Sequence, residues 1–181
     1  MDKHAIADLL ERSYAQYISF IEETDDNFWN YAPTGKWTTG QHTHHLLQST
    51  KPLNFALSLP KVVLSWKYGT SNREPRPYEQ IKQRYKERLA DSQGKVYKGS
   101  QNMEVPAISE KEYLLSRLQV QSKKLEYKTV NLSDKVLNTF ILPHPLMGKM
   151  PIKEIIMWSA HHVDHHLERI HEYHRRYSNA L

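Results

Sequence analysis

Four histidines lie within six positions near the end of the chain, at 161, 162, 165 and 166. If this segment is helical, residues four apart share a face, so His161/His165 and His162/His166 are two candidate chelating pairs. Neutral imidazole is a good ligand for Zn, Ni, Cu or Fe, and a helix fixes the spacing of the two rings. The apolar stripe of residues 152–170 contains His166 and borders His162, so we predict that the other pair faces solvent. The alternative is a histidine-rich surface that binds nothing.

A second group of histidines, at 42, 44 and 45, lies near the start of another predicted helix. Thr38 and Gln41 have the spacing of a capping box, which marks where that helix begins. Its apolar stripe passes nearest His42, whereas His44 and His45 lie further round on either side. Periodicity alone therefore nominates His42 as a third ligand.

The elements that must position these histidines are predicted to be helical. Apolar residues recur at intervals of three and four in several segments, and no stretch alternates as a strand would. The predicted helices are 4–24, 38–59 with a kink or break at Pro52, 77–92, 109–130 opened by Ser109 and Glu112, and 152–176. Residues 60–76, 94–106 and 141–151 are rich in proline and glycine or in turn residues, which predicts loops. We predict an all-α protein, an up-down four-helix bundle with an extra short helix, in a single domain over 1–181.

The composition limits the chemistry. The chain has no cysteine, so any ion must be held by histidine or carboxylate. It has no apolar run of about 20 residues and no signal-peptide core, and we expect a cytoplasmic protein without a membrane segment. The net charge is +5, and residues 61–98 hold ten Lys or Arg against four acids. That segment could attract an anion, but without a nucleic-acid fold signature we favour a solvated helix face over nucleic-acid binding.

The two histidine groups together resemble the DinB-like superfamily, small four-helix bundles that include the YfiT-type metal proteins. The resemblance covers nearly the whole chain and lies in three motifs, Trp37-Thr38 leading to His45-Leu46, the His162-x3-His166 helix, and the His144-Pro-Leu-Met-Gly loop. It implies a three-histidine site of His45, His162 and His166 that holds Zn or Ni.

Periodicity and the resemblance agree on His162 and His166 but differ on the third ligand. We follow the resemblance to His45, because a helix with an internal proline and an uncertain start makes the periodicity unreliable there. His42 remains a spare ligand or a partner that orients one. His144 either reaches the mouth of the bundle or is a loop residue with no part in the site.

The resemblance also implies a function. The superfamily is similar to S-transferases that use a low-molecular-weight thiol, such as bacillithiol or mycothiol, and to metal hydrolases. Three neutral imidazoles leave a divalent ion its full charge and an open position. We therefore expect a metal-dependent enzyme acting on a small molecule, either a thiol-dependent S-transferase or a hydrolase. The alternative is a non-catalytic metal-binding or stress-response module.

Two surface features add expectations about partners. Arg84 and Arg88 lie in the basic segment and could attract an anionic cosubstrate. Trp66, Tyr68 and Tyr78 are expected to be exposed, and could form a homodimer surface. No residue stands out as a general base.

Overall fold

The computed structural model describes residues 1–92 and 103–179, and most of these residues are helical. The α-helices are α1 (Lys3–Glu23), α2 (Thr39–Ala56), α3 (Lys61–Tyr68), α4 (Tyr78–Asp91), α5 (Lys111–Asn131), α6 (Asp134–Thr139) and α7 (Ile152–Ser178). Two short strands, β1 (Ile141–His144) and β2 (Gly148–Pro151), precede α7. The prediction of an all-α protein built on a four-helix bundle is confirmed.

The bundle consists of α1, α2, α5 and α7. Both α1 and α2 pack against α5 and α7, so α1 and α2 stand diagonally opposite each other. Hydroxyl groups join this diagonal through the core: the Tyr14 hydroxyl lies 2.8 Å from Thr50 Oγ1, and the Tyr17 hydroxyl lies 2.9 Å from Thr43 Oγ1. These bonds satisfy polar groups that would otherwise be buried without partners.

The directions of the four helices follow from side-chain pairs between them. Helices α1 and α7 run parallel, α2 and α5 run parallel, and the two pairs oppose each other. The pairs that fix these directions are Tyr14 with Ser159, Phe20 with His171, Asn54 with Gln121, Ser58 with Lys128, Glu11 with Lys123, His42 with His166, and His45 with His162. The chain therefore runs up, down, down and up, whereas a simple up-down order would make every neighbouring pair antiparallel. The long connection from 57 to 110 lets α5 run in the same direction as α2.

That connection contains a helix where the sequence analysis predicted a loop. Within residues 60–76, α3 runs for eight residues and is capped by Gly69, whose φ of 87° favours glycine. Leu64 is the buried residue of α3. The loop prediction was wrong here because Pro60 and Gly69, which suggested a loop, cap the two ends of α3 and do not interrupt it. Most of the predicted 94–106 loop lies outside the described residues.

Two helix starts were predicted from capping boxes, and one prediction was correct. In α2 the Gln41 amide donates to Thr38 Oγ1 at 3.1 Å, and the Thr38 amide donates to Gln41 Oε1 at 2.9 Å. The helix continues through Pro52 and ends at Ala56, before the predicted end. The other prediction, a helix opened by Ser109, was wrong, because a 3-10 turn occupies 108–110 and α5 begins afterwards.

A hairpin and an ion pair hold the start of α7. Strands β1 and β2 are antiparallel, with His144 opposite Gly148 at the turn. The segment is non-helical as predicted, but it forms a hairpin where a loop was expected. Glu154, in the first turn of α7, is 1% exposed. Its carboxylate accepts bonds from Arg73 at 2.9 Å and from the Arg76 amide at 2.6 Å, which ties segment 70–77 to α7.

Across 1–92 and 103–179, the helices are all too short or too polar to cross a membrane.

Candidate metal centre

Helices α2 and α7 bring three histidines to one point inside the bundle. His45 Nε2 lies 3.2 Å from His162 Nε2, and His166 Nε2 lies 3.0 Å from the same atom. The three possible ligand atoms all lie within 4.8 Å of one another. The structure thus brings together the three residues that the resemblance implied.

The geometry of this group fits a single divalent ion. Metal–nitrogen bonds of about 2.0–2.1 Å place neighbouring ligand nitrogens about 2.9 Å apart in octahedral and about 3.4 Å apart in tetrahedral coordination. The two Nε2 separations of 3.2 and 3.0 Å fall between these values. His162 and His166 are buried, and His45 is partly buried. Each of these two nitrogen pairs therefore has a separation that two ligands of one ion can have, and His162 belongs to both pairs.

Burial keeps these imidazoles neutral, which is the form that binds metals. Loss of hydration lowers the pKa of His45 to about 4, with a smaller contribution from the charge of His44. Burial, followed by repulsion from neighbouring histidines, lowers the pKa of His162 and the pKa of His166 well below 6.5. At neutral pH each ring therefore has a nitrogen lone pair free of a proton.

His42, the third ligand that periodicity predicted, instead contacts Nδ1 of His166, the ring nitrogen that faces away from the other candidate ligands. Its Nδ1 lies 2.7 Å from Nδ1 of His166, and both rings are buried. One of these two nitrogens must carry the proton of the hydrogen bond. When His166 offers its Nε2 lone pair, its Nδ1–H donates and His42 Nδ1 accepts. His42 is thus placed to fix the tautomer and orientation of His166.

Aromatic rings hold the imidazoles in place. The Trp37 ring is parallel to His166 within 4°, at 6.3 Å between ring centres, and lies 5.0 Å from His45. The Trp158 ring stacks on His162 at 4.5 Å. Trp158 was not predicted as part of the site, although its position four residues before His162 places it on the same face of α7.

The predicted solvent exposure of the other histidine pair was wrong. His161 is 6% exposed and His165 is partly buried. Helix α4 covers this face of α7, and the Tyr85 ring contacts both imidazoles edge-on at 5.7 and 5.8 Å. Burial lowers the pKa of His161 to about 4. Tyr78, predicted to be exposed, is also partly buried and packs beside His161.

A cavity of about 450 Å³ adjoins the three-histidine group. His45 and His162 form part of its wall, and His144 and Trp158 lie beside them. The remaining wall is mostly aliphatic and aromatic, from α2, α7, the hairpin, Tyr68 and Tyr85. Among the lining residues that the structure describes, none is Asp, Glu, Lys or Arg. The site can therefore enclose a small, largely apolar molecule next to the histidines.

The basic segment and the predicted surface aromatics lie outside this wall, except for Tyr68. Arg84 is partly buried and Arg88 is exposed on α4. Trp66 is 86% exposed on α3. Residues 93–98 of the basic segment lie outside the described residues.

Comparisons with known proteins agree with the fold. No curated protein matches the chain. Among solved structures, the fold is similar to YfiT from Bacillus subtilis, described as a probable metal-dependent hydrolase with an unusual four-helix bundle topology. The two share 21% identity with a TM-score of 0.62, over 97% of this chain and 87% of that one. The sequence profile of the DinB superfamily matches residues 9–170. The chain belongs to the DinB superfamily.

Proposed function

We propose that this protein is a metal-dependent enzyme that acts on a small molecule, with His45, His162 and His166 holding Zn or Ni. The observation that carries the proposal is the convergence of three Nε2 atoms beside an apolar cavity whose wall includes His45 and His162. The description of YfiT as a probable metal-dependent hydrolase supports the same class of activity.

A divalent ion on three neutral imidazoles would supply a Lewis acid able to activate a water or a thiol. Protein residues around the ion would orient its ligands and shield the site from water. His42 holds the His166 ring through its Nδ1, and Trp37 and Trp158 restrict the rings of His166 and His162. The mostly apolar wall would reduce the contact of bulk water with the site, which strengthens electrostatic interactions there.

Two reactions fit this site, hydrolysis and transfer of a low-molecular-weight thiol to an electrophile. A hydrolase needs water alone as the second reactant. In the transferase, the thiol sulfur forms a bond to the electrophilic carbon, the leaving group departs with its electron pair, and the thiol proton is released. With no cysteine in the chain, a thiol reactant must come from solution.

Turnover assays separate the two reactions. The chelator-treated protein is reloaded with Zn or Ni and tested on carboxylic esters without thiol, and on alkyl halides with bacillithiol or mycothiol. Activity should vanish with chelator and return with metal. His162→Ala should abolish turnover, and His44→Ala, at a partly exposed position of α2, should not. Metal binding without turnover in either assay would favour a non-catalytic metal-binding module and contradict the proposal.

A further inference from the structure

The outer face of α3 is apolar, although the outer face of a surface helix is normally polar. Leu64, the buried residue of α3, faces the protein. Val62 and Trp66 each lie about 160° around the helix from Leu64, so both point outward. They are 80% and 86% exposed, and they are neighbours because they are four residues apart. Single exposed apolar residues are common, but this apolar ridge of two large ones is typical of an interaction surface.

Exposed apolar surface also occurs at the end of α2, beside the cavity. Phe55, in the last turn of α2, is 69% exposed. It lies three residues after Pro52, which lines the cavity, and residues three apart are neighbours on a helix. Tyr68, the last residue of α3, lines the same cavity. The exposed apolar residues thus lie on two of the elements that form the cavity wall.

Lysines without accompanying acids lie around these apolar residues. Residues 51–70 contain Lys51, Lys61 and Lys67 and no Asp or Glu. All three lysines are exposed, and Lys61 and Lys67 are adjacent in the chain to the two residues of the apolar ridge. Lys149 is also exposed, and its Nζ donates to the carbonyl oxygen of Tyr68 at 3.2 Å, which places it at the end of α3. This part of the protein is therefore both apolar and positively charged.

We propose that the α3 surface, formed by Phe55, Val62, Trp66 and the lysines around them, binds the surface of an anionic lipid bilayer. Tryptophan is favoured at the boundary between headgroups and acyl chains, and lysine is attracted to anionic headgroups. The α3 surface presents both kinds of residue side by side, as interfacial segments do. A second copy of the chain fits less well, because a two-fold interface would bring Lys61 and Lys67 of both copies together.

Membrane attachment goes beyond the proposed function. It requires no membrane-spanning helix, since the apolar side chains enter only the interfacial layer. It also places the neighbouring cavity beside lipid, in which apolar small molecules dissolve. An apolar substrate would then reach the protein next to the three-histidine group. That consequence rests on the proposed function, whereas the membrane contact itself does not.

Trp66 can report the contact, because it is the most exposed of the four tryptophans. The chelator-treated full chain is mixed with vesicles of phosphatidylcholine alone or of equal parts phosphatidylcholine and phosphatidylglycerol. Co-sedimentation measures binding, and the emission maximum reports the burial of Trp66. We expect binding to the anionic vesicles with a shift of emission to shorter wavelength, and at least about tenfold weaker binding to phosphatidylcholine alone. Binding should also weaken as the salt concentration rises.

Substitutions separate the apolar from the charged contribution. Trp66→Ser should weaken binding to the anionic vesicles at least about tenfold, because its apolar area no longer enters the lipid. The double variant Lys61→Gln/Lys67→Gln should weaken it about 25-fold, at roughly fivefold per lysine. All three positions are exposed, so the urea midpoints should equal that of the wild type. Tyr127→Ser removes a 69% exposed aromatic residue of α5 and is the matched control, which should bind as the wild type does.

Four results would overturn the proposal: no binding to the anionic vesicles, equal binding to both kinds of vesicle, undiminished binding by Trp66→Ser, or a dimer that buries Trp66 without vesicles. The last result would assign the α3 surface to a second copy of the chain. Because vesicle binding is measured on metal-free protein, a failure to bind metal or to turn over substrate would overturn the proposed function alone.

Discussion

Acid should destabilise the metal-free protein strongly, because folding keeps several histidines neutral. Burial lowers the pKa of His42 to about 3 and lowers the pKa values of His45, His144 and His161 to about 4. It also lowers the pKa values of His162 and His166, the two candidate ligands on α7, well below 6.5. In the unfolded chain each histidine takes up a proton near pH 6.5. Between pH 6.5 and about 4 the unfolded state therefore binds more protons, and stability falls as the pH falls.

The magnitude follows from this difference in proton binding. From pH 7.5 to 5.5, a histidine that stays neutral in the folded state loses about 1.4 kcal/mol of stabilisation relative to the unfolded chain. Six such histidines would together remove about 8 kcal/mol, which is comparable to the whole stability of a typical domain. Well above pH 6.5 these histidines are neutral in both states, so stability does not depend on their protonation. The loss of stability grows as the pH falls from 6.5 towards 4.

Urea unfolding of chelator-treated protein at the two pH values measures the effect. His42→Asn removes one of the six histidines and should reduce the difference between the two pH values by about 1.4 kcal/mol. His44→Asn, at a partly exposed position of the same helix, controls for the substitution itself. A wild-type difference below about 1 kcal/mol would refute the reasoning, because it would mean that these rings are charged or solvated in the folded protein.

Three further predictions concern the residues around the site. His42→Ala should weaken Zn binding about 10–100-fold, and His42→Asn, whose Oδ1 can still accept from the His166 ring, should retain most of the wild-type affinity. Competition with a chromogenic chelator measures the affinities, and equal losses in both variants would contradict the prediction. Glu154→Gln should lower the free energy of unfolding by about 2–3 kcal/mol without changing metal content, since the carboxylate is buried against Arg73 and Arg76. Urea midpoints and metal analysis measure the two quantities. A loss of stability under about 0.5 kcal/mol would contradict the prediction. Gly40→Ala would place a Cβ 2.7 Å from the buried Trp29 ring and should lower the free energy of unfolding by about 1–3 kcal/mol. Thermal unfolding measures this, and a melting temperature equal to that of the wild type would contradict the prediction.

The local part of the site could be predicted from the sequence. His162 and His166 lie on one helix, so their spacing and their place on the apolar stripe follow from helical periodicity alone. The choice between His42 and His45 could not be made in that way. It depends on how α2 is rotated against α7, which is a tertiary property, and the family resemblance supplied His45 instead.

The wrong predictions share a physical cause. His161 was predicted to face solvent because its helix was considered without α4, the peripheral helix that covers it. The same limit applies to α3, because Pro60 and Gly69 indicated a loop although they cap a helix that packs through Leu64. The fold class was predictable because it depends on the long amphipathic helices, whereas these details depend on which elements pack together.

Elemental analysis of the purified, tag-free protein tests the central claim most directly. The account predicts about one Zn or Ni per chain, lost in the double variant His162→Ala/His166→Ala. The double variant His161→Ala/His165→Ala changes two histidines of the same spacing on the same helix and should retain the metal. A wild-type protein that lacks metal and takes up neither added Zn nor added Ni, or equal loss in both double variants, would contradict it.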